Sequence, residues 1–297
     1  MCFLKNTCIL LLKLPLTHMT ITDPPFLDAL PKLSELDTKL LELLRSLTPA
    51  EWENQTVAKL WLVKDVAAHL LDGNMRVLSM LRDQYFGEAP PGESYEELLD
   101  YLNQLNADWV RAMKRVSPAM LILLHEITGP LYCKYNASLD PFDKASFSVA
   151  WAGENESKNW MHIAREYTEK FLHQQQIRDA VNKPGIMTPG YYPLFLDICV
   201  LAMPYTYRHV KAPLGSTVQL EVTGEAGGSW WLTHGDERWE LSKEPVDNVT
   251  VAIRLGPDDA WKLFSKSVRP HQLRERISIT GDHKLGEKAL SMVSFMA

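Results

Sequence analysis

The chain of 297 residues has only four cysteines, and they are widely spaced. Cys2, Cys8, Cys133 and Cys199 form no C-x-x-C pair, which argues against a zinc ribbon, a thioredoxin-like motif and a disulfide framework. The 15 glycines and 18 prolines are too few for a collagen-like or low-complexity chain. Free cysteines are typical of a reducing compartment, so the sequence predicts a cytoplasmic protein.

An excess of charge of one sign is also missing. The chain has 31 Lys and Arg against 37 Asp and Glu, a formal net charge of −6. Such a chain has no general electrostatic attraction to nucleic acid or to an acidic membrane surface, so we expect neither as a partner. Because 46% of the side chains are apolar, the chain is rich enough in apolar residues to bury a core without disulfides.

Several familiar catalytic signatures are absent as well. The sequence has no G-x-S-x-G nucleophile elbow, no Walker A loop and no Rossmann glycine motif. His125-Glu126 begins like a zinc-protease helix, but Gly129 stands where the second histidine is needed. These reaction classes are therefore not indicated.

The amino terminus holds one apolar run, in residues 8–16. Lys13 and Pro15 interrupt this run, no small-x-small cleavage site follows it, and it is too short to span a bilayer. We interpret residues 1–22 as a disordered tail or a start-site artefact, with Met19 as the expected start of translation, and not as a secretion signal.

Apolar residues recur at helical spacing through the first two thirds of the chain. The pattern predicts four long amphipathic helices, at about residues 26–47, 63–85, 94–116 and 158–181. A shorter apolar segment covers residues 119–127, and we expect residues 128–156 to be mixed, with Gly129-Pro130 at a turn. Four such helices favour a four-helix bundle, which we assign to residues 23–200.

The pattern changes after about residue 206. Apolar and polar residues alternate, as in strands, at 218–222, 249–253 and 277–279, and helical segments lie at 258–266 and 284–296. Residues 206–297 are therefore predicted to form a small α+β domain. The chain as a whole is expected to be an α+β protein of two domains.

The last predicted bundle helix carries a polar stripe. At about 100° per residue, His162, Glu166, Glu169 and His173 fall within about 60° of one another. A Glu and a His four residues apart can hold one metal ion, as inward-facing ligands do in other bundles. The same spacing is also typical of a solvated helix face stabilised by i,i+4 pairs, so the stripe alone leaves both interpretations open.

A third ligand would have to come from another helix. His69 lies among the apolar residues of the segment 63–73, which predicts that its imidazole points inward. A buried imidazole needs partners for both ring nitrogens. A core histidine paired with a carbonyl or a carboxylate would meet this need as well as a metal ligand would.

Two segments that contain these residues resemble a known family. Trp61-Leu-Val-Lys-Asp-Val-Ala-Ala-His-Leu-Leu-Asp-Gly is similar to the signature helix of the mycothiol-dependent maleylpyruvate isomerase family, within the wider DinB-like metal-binding bundles. Residues 164–180 are similar to that family's second metal segment. The resemblance covers most of residues 24–185 and implies a divalent-metal triad of His69, Glu169 and His173, which selects Glu169 over Glu166.

The carboxyl-terminal part resembles a second kind of domain. Residues 267–296 are similar to the sterol-carrier-like domains that are attached to some of these bundles. In such relatives the domain helps to close the site over the substrate. No catalytic residue of this domain can be aligned.

The resemblance implies a metal-dependent enzyme that uses a low-molecular-weight thiol, mycothiol or an equivalent. Zinc is the first expectation for the metal, and nickel, iron and manganese stay open. In the family's reaction the thiol adds to the cis double bond of a keto diacid, the resulting single bond rotates, and elimination gives the trans isomer. The same site could instead act as a thiol S-transferase, as a metal-dependent hydrolase, or as a non-catalytic holder of a metal and a ligand.

A dicarboxylate substrate would favour arginines, whose forked donors match carboxylates. Arg76 lies two helical turns beyond His69, and Arg165 lies one turn before Glu169. Arg76, Arg165 and Glu166 are therefore the candidates for catalytic roles. The expected partners are a small electrophilic substrate and the thiol, and the expected state of the chain is a monomer or a homodimer.

Overall fold

The computed structural model describes residues 26–88, 95–147, 152–154 and 156–294. The expectations for residues 1–22, for residue 94 and for residues 295–296 fall outside these ranges. The helices before the sheet are α1 (Leu30–Arg45), α2 (Val63–Arg76), α3 (Tyr95–Met113), α4 (Pro118–Ala137), α5 (Asn159–Val181), α6 (Tyr192–Val200) and α7 (Met203–Tyr207). In the described ranges, no helix is both long enough and apolar enough to cross a membrane.

Four of these helices form the bundle. Helices α1 and α2 each pack against both α4 and α5, while α3 packs along α2. Helix α2 runs antiparallel to α5, because His69 lies beside His173 whereas Asn74 lies beside Lys170. The predicted four-helix bundle is confirmed, but α4 takes the place that the sequence pattern assigned to α3.

The prediction of a turn at Gly129-Pro130 is wrong, because α4 continues through both residues. Its buried positions recur at helical spacing on either side of them, at Leu121, His125, Thr128, Tyr132 and Asn136. Pro130 removes one backbone hydrogen bond, and its ring lies on the exposed face of the helix. Gly129 faces α1, where a Cβ atom would lie 2.1 Å from Oδ2 of Asp37, so glycine allows the two helices to approach.

The helix ends follow local rules that the sequence carries. Thr48 and Glu51 form a capping box, since the Thr48 amide donates to Glu51 Oε2 at 2.7 Å and the Glu51 amide donates to Thr48 Oγ1 at 3.4 Å. A single 3₁₀ turn (Glu51–Glu53) follows this box. Helix α2 continues as a π-helix (Val77–Arg82), and α5 ends at Asn182, which adopts the left-handed conformation with φ of 52°.

The carboxyl-terminal part is built on a five-stranded sheet in the order β3-β2-β1-β4-β5. Its elements are β1 (Thr217–Val222), β2 (Gly228–His234), β3 (Trp239–Ser242), β4 (Val251–Leu255), α8 (Pro257–Phe264), β5 (Ser278–Gly281) and α9 (His283–Ala289). Strands β1 and β4 are parallel, and the other neighbours are antiparallel. This arrangement confirms the α+β class with two domains, and the predicted strands at 218–222, 249–253 and 277–279 correspond to β1, β4 and β5.

Helices α6 and α7 join the bundle to the sheet. One apolar core runs from Phe171 of α5 through Phe195 of α6 to Trp230 of β2. Polar contacts reinforce this junction, because the Tyr207 hydroxyl donates to the Leu285 carbonyl at 2.7 Å and the indole N–H of Trp230 donates to Asp197 at 2.9 Å. The limits 23–200 and 206–297 stay predictions.

Candidate metal centre

Helices α2 and α5 bring together the three residues that the resemblance implied as ligands. Each of His69, Glu169 and His173 offers one ligand atom, and these atoms lie within 4.8 Å of one another. Nε2 of His173 is 3.2 Å from Oε2 of Glu169, and the rings of His69 and His173 meet edge to face with centroids 4.6 Å apart. The Glu169 side chain is 33% exposed and that of His173 is 12% exposed, so the cluster reaches the surface of the bundle at Glu169.

The donor set fits a divalent ion. Ligand atoms around a tetrahedral zinc ion lie about 3.4 Å apart, since zinc–nitrogen bonds are about 2.0–2.1 Å. Nδ1 of His69 is buried and has no hydrogen-bond partner among the described residues. One ring nitrogen of His125 and one of His162 are likewise buried without a partner, so the position beside Glu169 and His173 is what distinguishes His69. The ring therefore has the free coordination capacity that a ligand needs.

His69 is also held in the protonation state that a ligand requires. Burial, and then the charges of His173 and Arg76, lower the pKa of His69 well below 6.5. The ring is thus neutral at pH 7, and a neutral imidazole nitrogen is the form that binds metals.

Two residues that the sequence analysis did not single out complete the surroundings of the triad. The Trp61 ring lies 4.8 Å from the His69 ring and 6.1 Å from the His173 ring, so it forms a wall over both imidazoles. Oε1 of Gln176 lies 2.9 Å from Nδ1 of His173. The position of Gln176, one helical turn after the histidine on the same helix, is a sequence signal that could have identified it.

Arg76 lies at the edge of the cluster. Its Nε is 3.0 Å from Oδ2 of Asp72, four residues earlier on α2, and its side chain is 35% exposed. Burial raises the pKa of Asp72, and the guanidinium of Arg76 opposes that shift. The ion pair occupies Nε of the guanidinium, and the Arg76 side chain stays partly exposed.

Arg165 and Glu166, the other two candidates, form a separate buried cluster. Arg165 Nη2 donates to Glu166 Oε1 at 3.0 Å and lies 3.0 Å from Nδ1 of His162, and the Tyr132 hydroxyl donates to Glu166 Oε2 at 2.9 Å. Burial alone would raise the pKa of Glu166. The charges of Arg165 and His162 and the hydrogen bonds from Arg165 and Tyr132 outweigh it and lower this pKa to about 2. Glu166 is therefore engaged elsewhere, and Glu169 is the carboxylate beside the two histidines.

A third polar group, inside the bundle, also escaped the sequence analysis. Lys170 Nζ donates to Asp37 Oδ1 at 2.8 Å and to Asn74 Oδ1 at 2.9 Å, and Asn74 donates to Thr128 Oγ1 at 3.1 Å. These four residues come from α5, α1, α2 and α4. Because Asn74 and Lys170 lie close to His69 and Glu169 in the chain, the network holds α2 and α5 in the register that brings the triad together.

Comparison with known proteins assigns the bundle to a class and then to a family. The fold defines an α+β protein in which a helical bundle, with a His-Glu-His cluster between two antiparallel helices, is followed by a mixed sheet. Residues 33–178 match the family model of the mycothiol maleylpyruvate isomerase N-terminal domain, and the match includes the whole triad. The helical bundle of this chain is thus similar to the N-terminal domain of that family.

Solved structures show the same fold. Two crystal structures of the mycothiol-dependent maleylpyruvate isomerase, one of them of a mutant, match 87% of this chain and 94% of their own chains. The TM-scores are 0.51 for the mutant and 0.50 for the other structure, each at 12% sequence identity. The shared fold thus extends over the bundle and the carboxyl-terminal sheet.

The sterol-carrier-like assignment of the carboxyl-terminal domain stays a prediction. A ubiquinone synthesis protein, UbiJ-SCP2, covers 31% of this chain at 14% identity with a TM-score of only 0.23. Among curated proteins, no match to the sequence is found.

Proposed function

We propose that the chain is a divalent-metal-dependent isomerase that uses a low-molecular-weight thiol, mycothiol or an equivalent. Its substrate would be maleylpyruvate or a related cis-unsaturated keto diacid. The observation that carries this proposal is the convergence of His69, Glu169 and His173 at an open position on a bundle of this family. Zinc is the proposed metal, because two imidazoles and one carboxylate are a typical catalytic zinc set.

The chemistry of the site follows from the number of protein ligands. Three ligands leave coordination positions free, as catalytic sites do and structural sites do not. When bound there, a divalent ion would lower the pKa of a neighbouring thiol, so that the thiolate exists near neutral pH. The thiolate would add to one carbon of the double bond, rotation would follow about the resulting single bond, and elimination would release the trans isomer and return the thiol unchanged.

The residues around the triad have distinct roles in this proposal. Arg76 would bind a substrate carboxylate with the part of its guanidinium that Asp72 leaves free. Trp61 would exclude water from one side of the two imidazoles. Arg165 and Glu166 would act on the packing of α4 against α5 and not on the substrate, because they are paired with each other and with Tyr132.

The cysteines bear on the cellular compartment of the proposed enzyme. The two described cysteines, Cys133 and Cys199, are free thiols, a state that the cytoplasm preserves. We place the enzyme there, acting on small molecules as a monomer or a homodimer.

Metal analysis and turnover of the purified chain test the proposal. Wild type should contain one equivalent of a divalent metal and isomerise maleylpyruvate only when a low-molecular-weight thiol is present. His69→Ala and Glu169→Gln should lose both the metal and the activity. Glu42→Gln, which changes an exposed carboxylate paired with Lys39, should retain both.

Other results would point to the other chemistries. A stable thioether product would identify an S-transferase, and hydrolysis without any thiol would identify a hydrolase. A tightly held metal without turnover of any of these substrates would identify a binding protein. Each of these three results contradicts the proposed isomerase.

A further inference from the structure

We infer that Gln176 is a positioning residue of the candidate metal centre, which orients His173 so that Nε2 is the nitrogen offered to the ion. The inference rests on the proposed function, because it assumes that His173 is a ligand. Its basis is the 2.9 Å contact between Oε1 of Gln176 and Nδ1 of His173. Gln176 is only 4% exposed, so water competes little for this contact.

The contact sets the tautomer of the imidazole. A neutral imidazole has one N–H donor and one nitrogen that accepts, and an amide oxygen can only accept. Nδ1 of His173 must therefore carry the proton when Oε1 of Gln176 faces it. The lone pair is then on Nε2, the nitrogen that lies 3.2 Å from Glu169 Oε2 and faces the other ligands.

The arrangement is local to one helix. Gln176 follows His173 by three residues, a spacing at which side chains on an α-helix are neighbours. The spacing allows the hydrogen bond to form within α5 without an ion, and the bond reduces the freedom of the imidazole to turn away.

The neutrality of the amide also affects the ion. A carboxylate in this position would make the imidazole more basic and pass negative charge toward the ion. Gln176 orients the ring without adding charge. Among the described residues, Glu169 is then the one carboxylate of the cluster, so that more of the ion's positive charge acts on the thiol.

Zinc affinity and imidazole NMR together test the inference. The variants are Gln176→Leu, which removes the acceptor, and Gln176→Glu, which keeps an acceptor. Gln175→Leu is the matched control, because it changes a neighbouring buried glutamine whose Oε1 has no partner. Zinc affinity is measured by competition with a chelator, and nitrogen-15 histidine spectra are recorded on the zinc-loaded proteins.

In wild type and in Gln176→Glu, we expect zinc on Nε2 of His173 and a slowly exchanging proton on Nδ1. Gln176→Leu should weaken zinc binding by about 10–100-fold, the usual effect of losing such a partner, and its Nδ1 proton should exchange rapidly. Gln175→Leu should match wild type in both measurements. Zinc affinity that is kept in Gln176→Glu and lost in Gln176→Leu would show that the side chain acts by orienting the ring and not only by packing.

Three results would overturn the inference, and they differ in what else they affect. Zinc on Nδ1 of His173 in wild type, or Gln176→Leu binding zinc within twofold of wild type, would remove the role of Gln176 and leave the proposed metal centre intact. A wild-type chain that binds no divalent metal would remove both the metal centre and this role. If Gln176→Leu does not fold, the Gln176→Glu variant still tests the inference. Loss of the slowly exchanging Nδ1 proton of His173 in that variant would contradict it.

Discussion

Lys170 of α5 and Asp37 of α1 form an ion pair inside the bundle, with Nζ and Oδ1 2.8 Å apart and side chains that are 5% and 8% exposed. The residues are 133 positions apart in the chain. Lys170 directly follows the triad residue Glu169. The ion pair therefore connects the position of the candidate metal centre to the packing of the bundle core.

Lys170→Met should destabilise the fold by about 3–5 kcal/mol, because it leaves the charge of Asp37 buried and unpaired. The double variant with Asp37→Leu should recover much of this loss, since no buried charge remains. The free energy of unfolding in urea measures both effects. Lys32→Met, at an exposed pair with Glu35, is the control and should change little. Equal stabilities of the single and double variants would contradict the expected coupling.

Gly129→Ala should destabilise the protein by about 1–3 kcal/mol or more, because the new methyl group would overlap the Asp37 carboxylate and force α1 and α4 apart. Gly73→Ala on α2 is a matched comparison, since nothing lies within 4 Å of the Cβ atom that it adds. This second change should stabilise by roughly 0.5–1 kcal/mol through helix propensity. Thermal or urea unfolding of both variants checks that the free energy of unfolding falls in Gly129→Ala and rises in Gly73→Ala.

Stability should fall as the pH is lowered from about 6.5 to about 4. Burial, partly offset by the contact between Nε2 and the Ala67 carbonyl, lowers the pKa of His125 to about 4, whereas an unfolded histidine titrates near 6.5. The unfolded state therefore binds a proton first, and the stability from this residue is lost over that range. The difference is worth about 3 kcal/mol.

His125→Gln should reduce this pH dependence, which urea unfolding at pH 7 and at pH 5 measures. His162 adds a change of the same sign, because burial and then Arg165 lower its pKa to about 4. The contribution of Glu166, with a pKa of about 2, is lost only below about pH 4.5 and so does not interfere. A variant with an unchanged slope between pH 7 and pH 5 would show that His125 is not buried in its neutral form.

Bound metal should raise the stability of wild type, because an ion that binds only the folded state contributes about 2.7 kcal/mol at 100 times its dissociation constant. His173→Ala should lose this increase while remaining folded without metal. Glu166→Gln should retain the increase, since Glu166 lies in the Arg165 cluster. The shift in melting temperature on adding zinc checks all three proteins. If the rise in melting temperature on adding zinc is lost in Glu166→Gln and kept in Glu169→Gln, then Glu166 and not Glu169 is the carboxylate ligand.

The sequence by itself determined those features that depend on neighbours in the chain. Helical periodicity predicted α1, α2, α3 and α5, and the Thr48-Glu51 capping box and the stop at Asn182 follow from residues within one turn. The stripe that contains Glu169 and His173 is likewise a property of one helix. The resemblance to a family added His69, which periodicity alone could place inward but could not connect to α5.

Only the tertiary structure decided how the helices meet. It placed Glu169 beside the two histidines, a choice that the helical stripe left open and that the family resemblance implied, whereas Glu166 is bound by Arg165 and by Tyr132 of α4. In the tertiary structure α4 also continues through Gly129-Pro130. Glycine is required at position 129 because α4 packs there against Asp37 of α1, a contact that no local sequence signal shows. Contacts of this kind join residues far apart in the chain, and their energies depend on burial and on neighbouring charges, which exist only once the bundle has formed.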